Sequence, residues 1–288
     1  MSVQHDVIIV GGGPAGAQCA LWLTKIGVSC LLLEPDRIGG LQARSPYTNS
    51  WLSVVQATTT AKSVASNMQK NLTSQGCARL RASCRRIERS DTGFGVITEQ
   101  GRMEARFVVL ATGTQEKTGG LEGDPRAVIG LIGLDAIEGA PGRVAILGGG
   151  DAAAESYAIL SAAGAVDLKV FARSVQARPN HWSAIAAESR YHGPYKVGDG
   201  VISYRHERFE FDRMVVCYGW QPALPELAFE LDVTEAGYVR VDADMQTSQT
   251  GVFAIGDVNE RPYPCVATAM SDGVYAANVI QSVLHESR

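Results

Sequence analysis

No two of the six cysteines, Cys19, Cys30, Cys77, Cys84, Cys217 and Cys265, stand in a Cys-x-x-Cys pair. Their spacing forms neither a disulfide framework nor a zinc-ligand set, so most read as small buried hydrophobes. Long apolar runs are missing too: none approaches the ~20 residues of a membrane span. The N-terminus has no basic segment followed by a cleavable apolar stretch, because Val7–Val10 runs straight into glycines. These absences lead us to expect a cytoplasmic protein with no membrane partner. Positive charge is scarce, the net charge being −4. The short basic cluster Arg79, Arg81, Arg85 and Arg86 reads as a solvated strand edge, since a nucleic-acid groove binder needs a broader positive face. No nucleic-acid partner is expected.

What the chain does have is glycine in two similar places. At 288 residues it is long enough for two domains, each with its own core. Asp6 to Glu34 runs apolar strand, glycine loop, helical stretch, apolar strand, and Arg143 to Arg173 repeats that order. Each reads as a βαβ unit, because the apolar period switches from strand-like to helix-like and back. Strands alternating with helices imply parallel sheets. Between the units, Gly76 to Gly113 carries short strand-like runs broken by turns, as in an antiparallel meander. Gly113 to Pro125 and Tyr218 to Pro225 read as linkers. After the second linker come a strand, Gly251 to Ile255, and a helical stretch from about Val266 to Leu284. The expected fold class is α/β: two Rossmann-type (three-layer ββα) dinucleotide-binding domains, the second inserted into the first. The boundaries are 1–115 with 223–288 for the first, discontinuous domain, and 116–222 for the second.

The motif richest in chemistry is Gly11-Gly12-Gly13-Pro14-Ala15-Gly16 after a strand. Gly11 permits the tight turn, Gly13 lets backbone approach a pyrophosphate, and Gly16 lets helix and strand pack closely. The helix N-terminus adds free N–H groups and positive dipole. Glu34, about 20 positions on, supplies a carboxylate for ribose hydroxyls. The second fingerprint, Gly148-Gly149-Gly150-Asp151-Ala152-Ala153, has Gly148, Gly150 and Ala153 at the same offsets. Its following strand ends at Arg173 rather than an acid, with Arg178 nearby. An Arg there suits a 2′-phosphate, hence NADPH rather than NADH.

Together with Val109-Leu110-Ala111-Thr112-Gly113 and Gly251-Val252-Phe253-Ala254-Ile255-Gly256-Asp257, these motifs resemble the low-molecular-weight thioredoxin reductase family, in its order and over nearly the whole chain. The resemblance implies bound FAD. It implies that Asp257 hydrogen-bonds the ribityl chain and that the following helix, starting near Val266 and Ala267, aims its N-terminus at the flavin pyrimidine ring. It also implies cofactor contacts at Pro35, at Gly40, Leu41, Gln42 and Asn49, at Ala111, Thr112 and Gly113, and at Gly256. Cys265 falls at a flavin-contacting position. A homodimer and a domain rotation are further implications.

Three departures qualify it. Where the family has its Cys-x-x-Cys-Asp segment, this chain reads Leu131-Ile132-Gly133-Leu134-Asp135, so a dithiol relay to thioredoxin is not expected. Of the family's arginines in the nucleotide segment, Arg173 alone is in register, and Arg178 is one position late. The stretch from His181 to Asp212 looks shortened, as if part of a meander were missing. His181-Trp182 and Tyr191-His192 read as surface or core residues, and Trp220 as an interdomain contact. Three readings stay open: an NAD(P)H-dependent flavin oxidoreductase delivering electrons to a small molecule or redox protein; a flavin oxidase or dehydrogenase acting on a small substrate with a vestigial second domain; and a non-enzymatic redox-sensing flavoprotein.

Overall fold

The computed structural model describes residues 4–45, 48–130, 133–134, 137, 142–198 and 200–286. The chain divides into two units, Met1–Gln115 with Gln221–Arg288, and Glu116–Trp220. Leu131, Ile132 and Asp135 of the segment aligned with the family's dithiol lie outside the described residues.

The first unit begins with β1 (Gln4–Val10), α1 (Pro14–Lys25) and β2 (Cys30–Leu33). α2 (Ala61–Ser74) and a two-residue β3 (Arg79–Leu80) follow. Then come β4 (Cys84–Ser90), β5 (Gly93–Thr98) and β6 (Gly101–Leu110). Val7, Ile8 and Ile9 of β1 are fully buried, as expected of a central parallel strand covered on both faces. β1 pairs in parallel with β2 and β6, and β2 with β3. β4, β5 and the first half of β6 form the antiparallel meander read from the sequence. Of the basic cluster, Arg79 and Arg81 are exposed at this sheet's edge, while Arg86 pairs with Glu226.

α2 shows how locally some of this is specified. Thr60 is its N-cap, and the Thr60 hydroxyl accepts the Ser63 N–H at 3.1 Å. Val64, Ala65, Met68 and Leu72 form its buried stripe. Thr60→Ala should lower stability by about 1 kcal/mol, read as a lower midpoint in denaturant unfolding with an unchanged slope.

β7 (Thr114–Glu116) leads into the second unit, which contains β8 (Ala127–Ile129), β9 (Arg143–Leu147), α3 (Asp151–Ala162) and β10 (Asp167–Ala172). A short α4 (Pro179–Ser183) and β11 (Arg190–His192) follow. Next are β12 (Tyr195–Gly198), β13 (Val201–Tyr204), β14 (Glu207–Glu210) and β15 (Arg213–Val216). The strands β11-β10-β9-β15-β8 make a wholly parallel sheet, and β12-β13-β14 a separate antiparallel one. The stretch that reads as shortened, His181–Asp212, holds three tightly connected antiparallel strands. Trp182 packs into this unit's core and Tyr191 stacks on Phe171 at 4.9 Å.

β16 (Trp220–Pro222) returns the chain to the first unit and pairs with β7, so both stretches read as linkers contain crossing strands. β17 (Glu226–Leu227) adds to β4, and β18 (Val252–Ala254) pairs in parallel with the second half of β6. A 3-10 turn over Gly256–Val258 precedes α5 (Val266–Glu286). α5 lies against α1 so closely that a Cβ on Gly273 would come within 2.5 Å of the Ala15 carbonyl. Among the described residues no helix is long and apolar enough to cross a membrane.

Candidate cofactor site

The ends of β1, β2, β6 and β18 converge in the first unit on a cavity of about 460 Å³, within the range of small-molecule sites. Its floor is the first glycine turn. Gly11 has φ +108°, and a Cβ there would sit 2.4 Å from the Ala111 carbonyl oxygen, so backbone from β1 and β6 can meet only because that residue is glycine. Gly16 is closed in by the Gly11 carbonyl, 1.9 Å from where its Cβ would be. Gly13 is the opposite case: a Cβ there would meet nothing within 4 Å. That space lies above the start of α1, where Gly13 is the N-cap, Pro14 occupies the first turn and no side chain caps the helix. Pro14 needs no N–H partner and presets the helical φ, while the N–H groups of Ala15 and Gly16 have no acceptor within the helix. Together they form an uncapped, open, positive concavity for an anion.

Glu34 closes β2 and faces the same cavity. Its Oε2 accepts the Gly12 N–H at 2.8 Å and its Oε1 the Asp36 N–H at 2.9 Å. These bonds fix the carboxylate beside the glycine turn, and each oxygen keeps a lone pair for a ribose hydroxyl. Next to it, Arg44 donates to Asp36 at 2.6 Å and holds that carboxyl below its usual range, aided by Arg37.

The far end is built by the turn after β18. Asp272, a buried residue of α5, accepts the Gly256 N–H at 2.9 Å, pairs with Arg261 and lies 3.5 Å from Asn259 Nδ2. The Asn259 amide also donates to the Ala254 carbonyl at 3.1 Å. This clamp holds the Gly256 turn and with it Asp257. Asp257 Oδ1 is buried without any hydrogen-bond partner, as is the Thr112 hydroxyl oxygen, and both residues border the cavity. Burial raises the Asp257 carboxyl above its usual range, with Arg261 opposing. Native proteins rarely leave such atoms orphaned. A polyhydroxylated chain lying in the cavity would satisfy both.

Cys265 also borders the cavity, at the start of α5. Burial would raise its thiol, but the Thr268 hydroxyl, 3.4 Å away, and the N–H groups of Thr268 and Ala267 outweigh it and bring the thiol below its ordinary value. The residues present thus fit a dinucleotide: an anion cradle, a ribose acid and orphaned acceptors in one space.

The second unit builds its glycine turn the same way. A Cβ on Gly148 would lie 2.2 Å from the Cys217 carbonyl oxygen, and one on Gly150, the N-cap of α3, would meet nothing. Ala152 and Ala153 follow in the first turn, Ala153 fully buried. Arg173 lies over the Tyr195 ring at 5.2 Å. Arg178 is committed elsewhere: its N–H and Nε both donate to Asp151 at 2.8 Å, and His181 Nδ1 lies 3.3 Å from the same carboxylate.

The model of the pyridine nucleotide-disulphide oxidoreductase family matches residues 5–273. The chain belongs to that family. Among its curated relatives are a thioredoxin reductase of Peptoclostridium litorale, 26% identical with 99% of each chain covered, and a ferredoxin–NADP reductase of Lactococcus lactis subsp. cremoris, 24% identical with 98% of this chain and 95% of that one covered. Solved thioredoxin reductases from T. acidophilum and Lactococcus lactis superpose with TM-scores of 0.81 and 0.82 at 24% and 22% identity, each covering 98% of this chain and 99% of the other. They establish the fold as the α/β arrangement of two Rossmann-type domains expected from the sequence.

In this oxidoreductase the cavity is bordered by Gly11, Gly13, Pro14, Ala15, Glu34, Gly40, Leu41, Gln42, Ala111, Thr112, Gly113, Gly256, Asp257 and Val266. Gln42, whose order with Leu41 is swapped relative to the family, still reaches it. Asn49, 3% exposed, supports it from behind by donating to Gln42 Oε1 at 2.8 Å. Four residues expected at the cofactor do not border the cavity. Gly16 is packed beneath the turn, Asn49 stands behind Gln42, Pro35 is exposed and its carbonyl accepts from Arg81, and Ala267 is exposed. Asp36, Arg37, Arg44 and Trp51 border it without having been expected. The half-exposed Trp51 and the arginines follow no fixed motif; they arrive because the loop after β2 folds back over the cradle.

Proposed function

We propose that the protein is an FAD-dependent oxidoreductase that takes a hydride from NADPH or NADH and passes the electrons to an acceptor other than a protein disulfide. The observation that carries this reading is the buried, partnerless Oδ1 of Asp257, a residue that borders the same cavity as an open helix N-terminus, in a chain without a Cys-x-x-Cys pair. Bound FAD supplies the two-electron chemistry. The chain's own residues do the rest. The N–H groups at the start of α1 bind the pyrophosphate, Glu34 the ribose, and Asp257 and Thr112 the ribityl hydroxyls. The N-terminus of α5, beginning at the buried Val266, places positive dipole at the far end of the cavity. Without a dithiol to relay them, the electrons leave directly to a small molecule or a redox protein. Membership of a family whose relatives include a ferredoxin–NADP reductase agrees with the second. A cytoplasmic homodimer is part of the same proposal. Anaerobic addition of NADPH or NADH should bleach the visible flavin band within the mixing time; a band unchanged by both refutes the reading.

The commitment of Arg178 to Asp151 favours a second reading, an oxidase whose second unit is structural. It predicts oxygen uptake with a small substrate and none with either pyridine nucleotide. If instead the second unit binds NADPH, Arg173 is the arginine available to the 2′-phosphate. Arg173→Ala should then weaken NADPH by about tenfold or more, from a lost charge-assisted contact, and leave NADH unchanged. Arg178→Ala should alter both by no more than about fivefold, the scale of a surface pair. Equilibrium titration of the two variants with both nucleotides checks this.

A further inference from the structure

Three of the six cysteines, Cys19 of α1 with Cys30 and Cys77 beside that helix, gather outside the lining of the cofactor cavity. Cys30 opens β2, and Cys77 immediately precedes β3. The parallel register of these strands, Leu32 opposite Arg79 and Leu33 opposite Leu80, puts Cys30 opposite Cys77. The Leu32 N–H bonds the carbonyl of Ala78, the residue after Cys77, at 3.0 Å. Register partners on parallel strands point to the same face, and neighbouring strands lie about 4.8 Å apart, inside the Cα separation a disulfide requires. The two side chains share their partners on that face. Each thiol donates to the same Ala20 carbonyl of α1 at 3.8 Å, and the Thr24 hydroxyl lies 3.8 Å from Cys30 Sγ and donates to Cys77 Sγ at 3.3 Å.

Both residues are buried, Cys30 6% and Cys77 7% exposed, and they differ in what they border. Cys77 borders a second cavity of about 390 Å³, together with Glu34, Asp36, Arg79 and Arg81. Cys30 does not, and burial pushes its thiol up to about 11 despite the Thr24 hydroxyl. Cys19, fully buried on α1, is the remaining neighbour; burial raises it further still.

We propose that Cys30 and Cys77 are a redox-modification site that closes to a reversible intrachain disulfide on exposure to hydrogen peroxide. Peroxide enters through the cavity that Cys77 borders. The Cys77 sulfur, bonded by the Thr24 hydroxyl, attacks one peroxide oxygen as its thiol gives up its proton. The O–O bond breaks, and the departing hydroxide leaves as water with the proton the thiol gave up. The sulfenic acid so formed is attacked by Cys30 Sγ. The S–S bond forms as the S–O bond breaks, and the hydroxyl departs as water with the Cys30 proton. In sum, two thiols lose two electrons and two protons, and one peroxide becomes two waters. The cross-link ties β2, which leads into Glu34, to β3, whose Leu80 carbonyl already accepts the Glu34 N–H at 3.1 Å. A thiol reductant reopens it.

The test uses the full chain with its cofactor, exposed to hydrogen peroxide, then alkylated after unfolding and digested. Mass spectrometry should find the Cys30 and Cys77 peptides joined and lighter by two hydrogens, with the joined species lost on dithiothreitol treatment. In Cys30→Ser, Cys77 should advance to the sulfinic acid with no cross-link. In Cys19→Ser the cross-link should form as in the parent. Full alkylation of Cys30 and Cys77 after peroxide, a cross-link to Cys19, or sulfinic acid at Cys77 of the parent chain would each overturn the proposal.

Discussion

Gly13→Leu yields a folded protein without flavin. Gly13 is the one glycine of the first turn at which an added Cβ would meet no protein atom within 4 Å, so a side chain can start there without displacing backbone. The added isobutyl group instead fills the space over the start of α1, where the N–H groups of Ala15 and Gly16 await an anion. Two charge-assisted hydrogen bonds of about 1.5–3 kcal/mol each are then lost, a fall in FAD affinity of about 10² to 10⁴. Circular dichroism and unfolding of the apoprotein should match the parent's, while equilibrium dialysis shows the lost affinity. Gly16→Leu makes the control. Its Cβ would overlap the Gly11 carbonyl, so that variant loses the fold itself. If Gly13→Leu binds FAD like the parent, the pyrophosphate does not lie on this helix.

Asp257→Ala should move two properties in opposite directions. In the apoprotein the Asp257 carboxyl is raised above its ordinary 3.8, chiefly by burial. A carboxyl that holds its proton more tightly folded than unfolded favours folding fully below pH 3.8, and that contribution is lost as pH rises through the folded value. At pH 7 the ionised, partnerless oxygen is therefore a cost, on the order of 1–2 kcal/mol for a buried unsatisfied acceptor. Removing it stabilises the apoprotein at pH 7, and the gain shrinks as the pH is lowered toward 4. With FAD bound, the same oxygen has a hydroxyl to accept, and its removal weakens binding by about 10- to 100-fold. Denaturant unfolding of apoprotein at several pH values, paired with FAD titration, reads both. An apoprotein destabilised at pH 7 would mean that Asp257 is structural.

Both positions were legible in the sequence because short-range rules govern them. A strand followed by Gly-x-Gly-x-x-Gly and Pro leaves few conformations, and the Gly-Asp that follows the apolar strand β18 turns at once into the same cavity. What supports Asp257 was not legible. Asp272 sits mid-helix in Met-Ser-Asp-Gly, where an acid reads as a solvent-facing residue, and only the closing of α5 onto the turn after β18 brings it to the Gly256 N–H, 16 positions away. The partner of Arg178 was hidden for a related reason. Its place beside the second glycine loop suits a phosphate, yet Asp151 at the start of α3 claims it first, and a pairing across 27 positions leaves no periodic trace. The Cys30–Cys77 juxtaposition depends on strand register, which a two-residue β3 scarcely announces.

The claim on which the rest depends is that the cavity between α1 and the Gly256 turn holds FAD. The purified protein, soaked in excess FAD and freed of unbound flavin, should keep one FAD per chain by its visible absorbance and release it on denaturation. A protein left colourless by the same treatment contradicts the account.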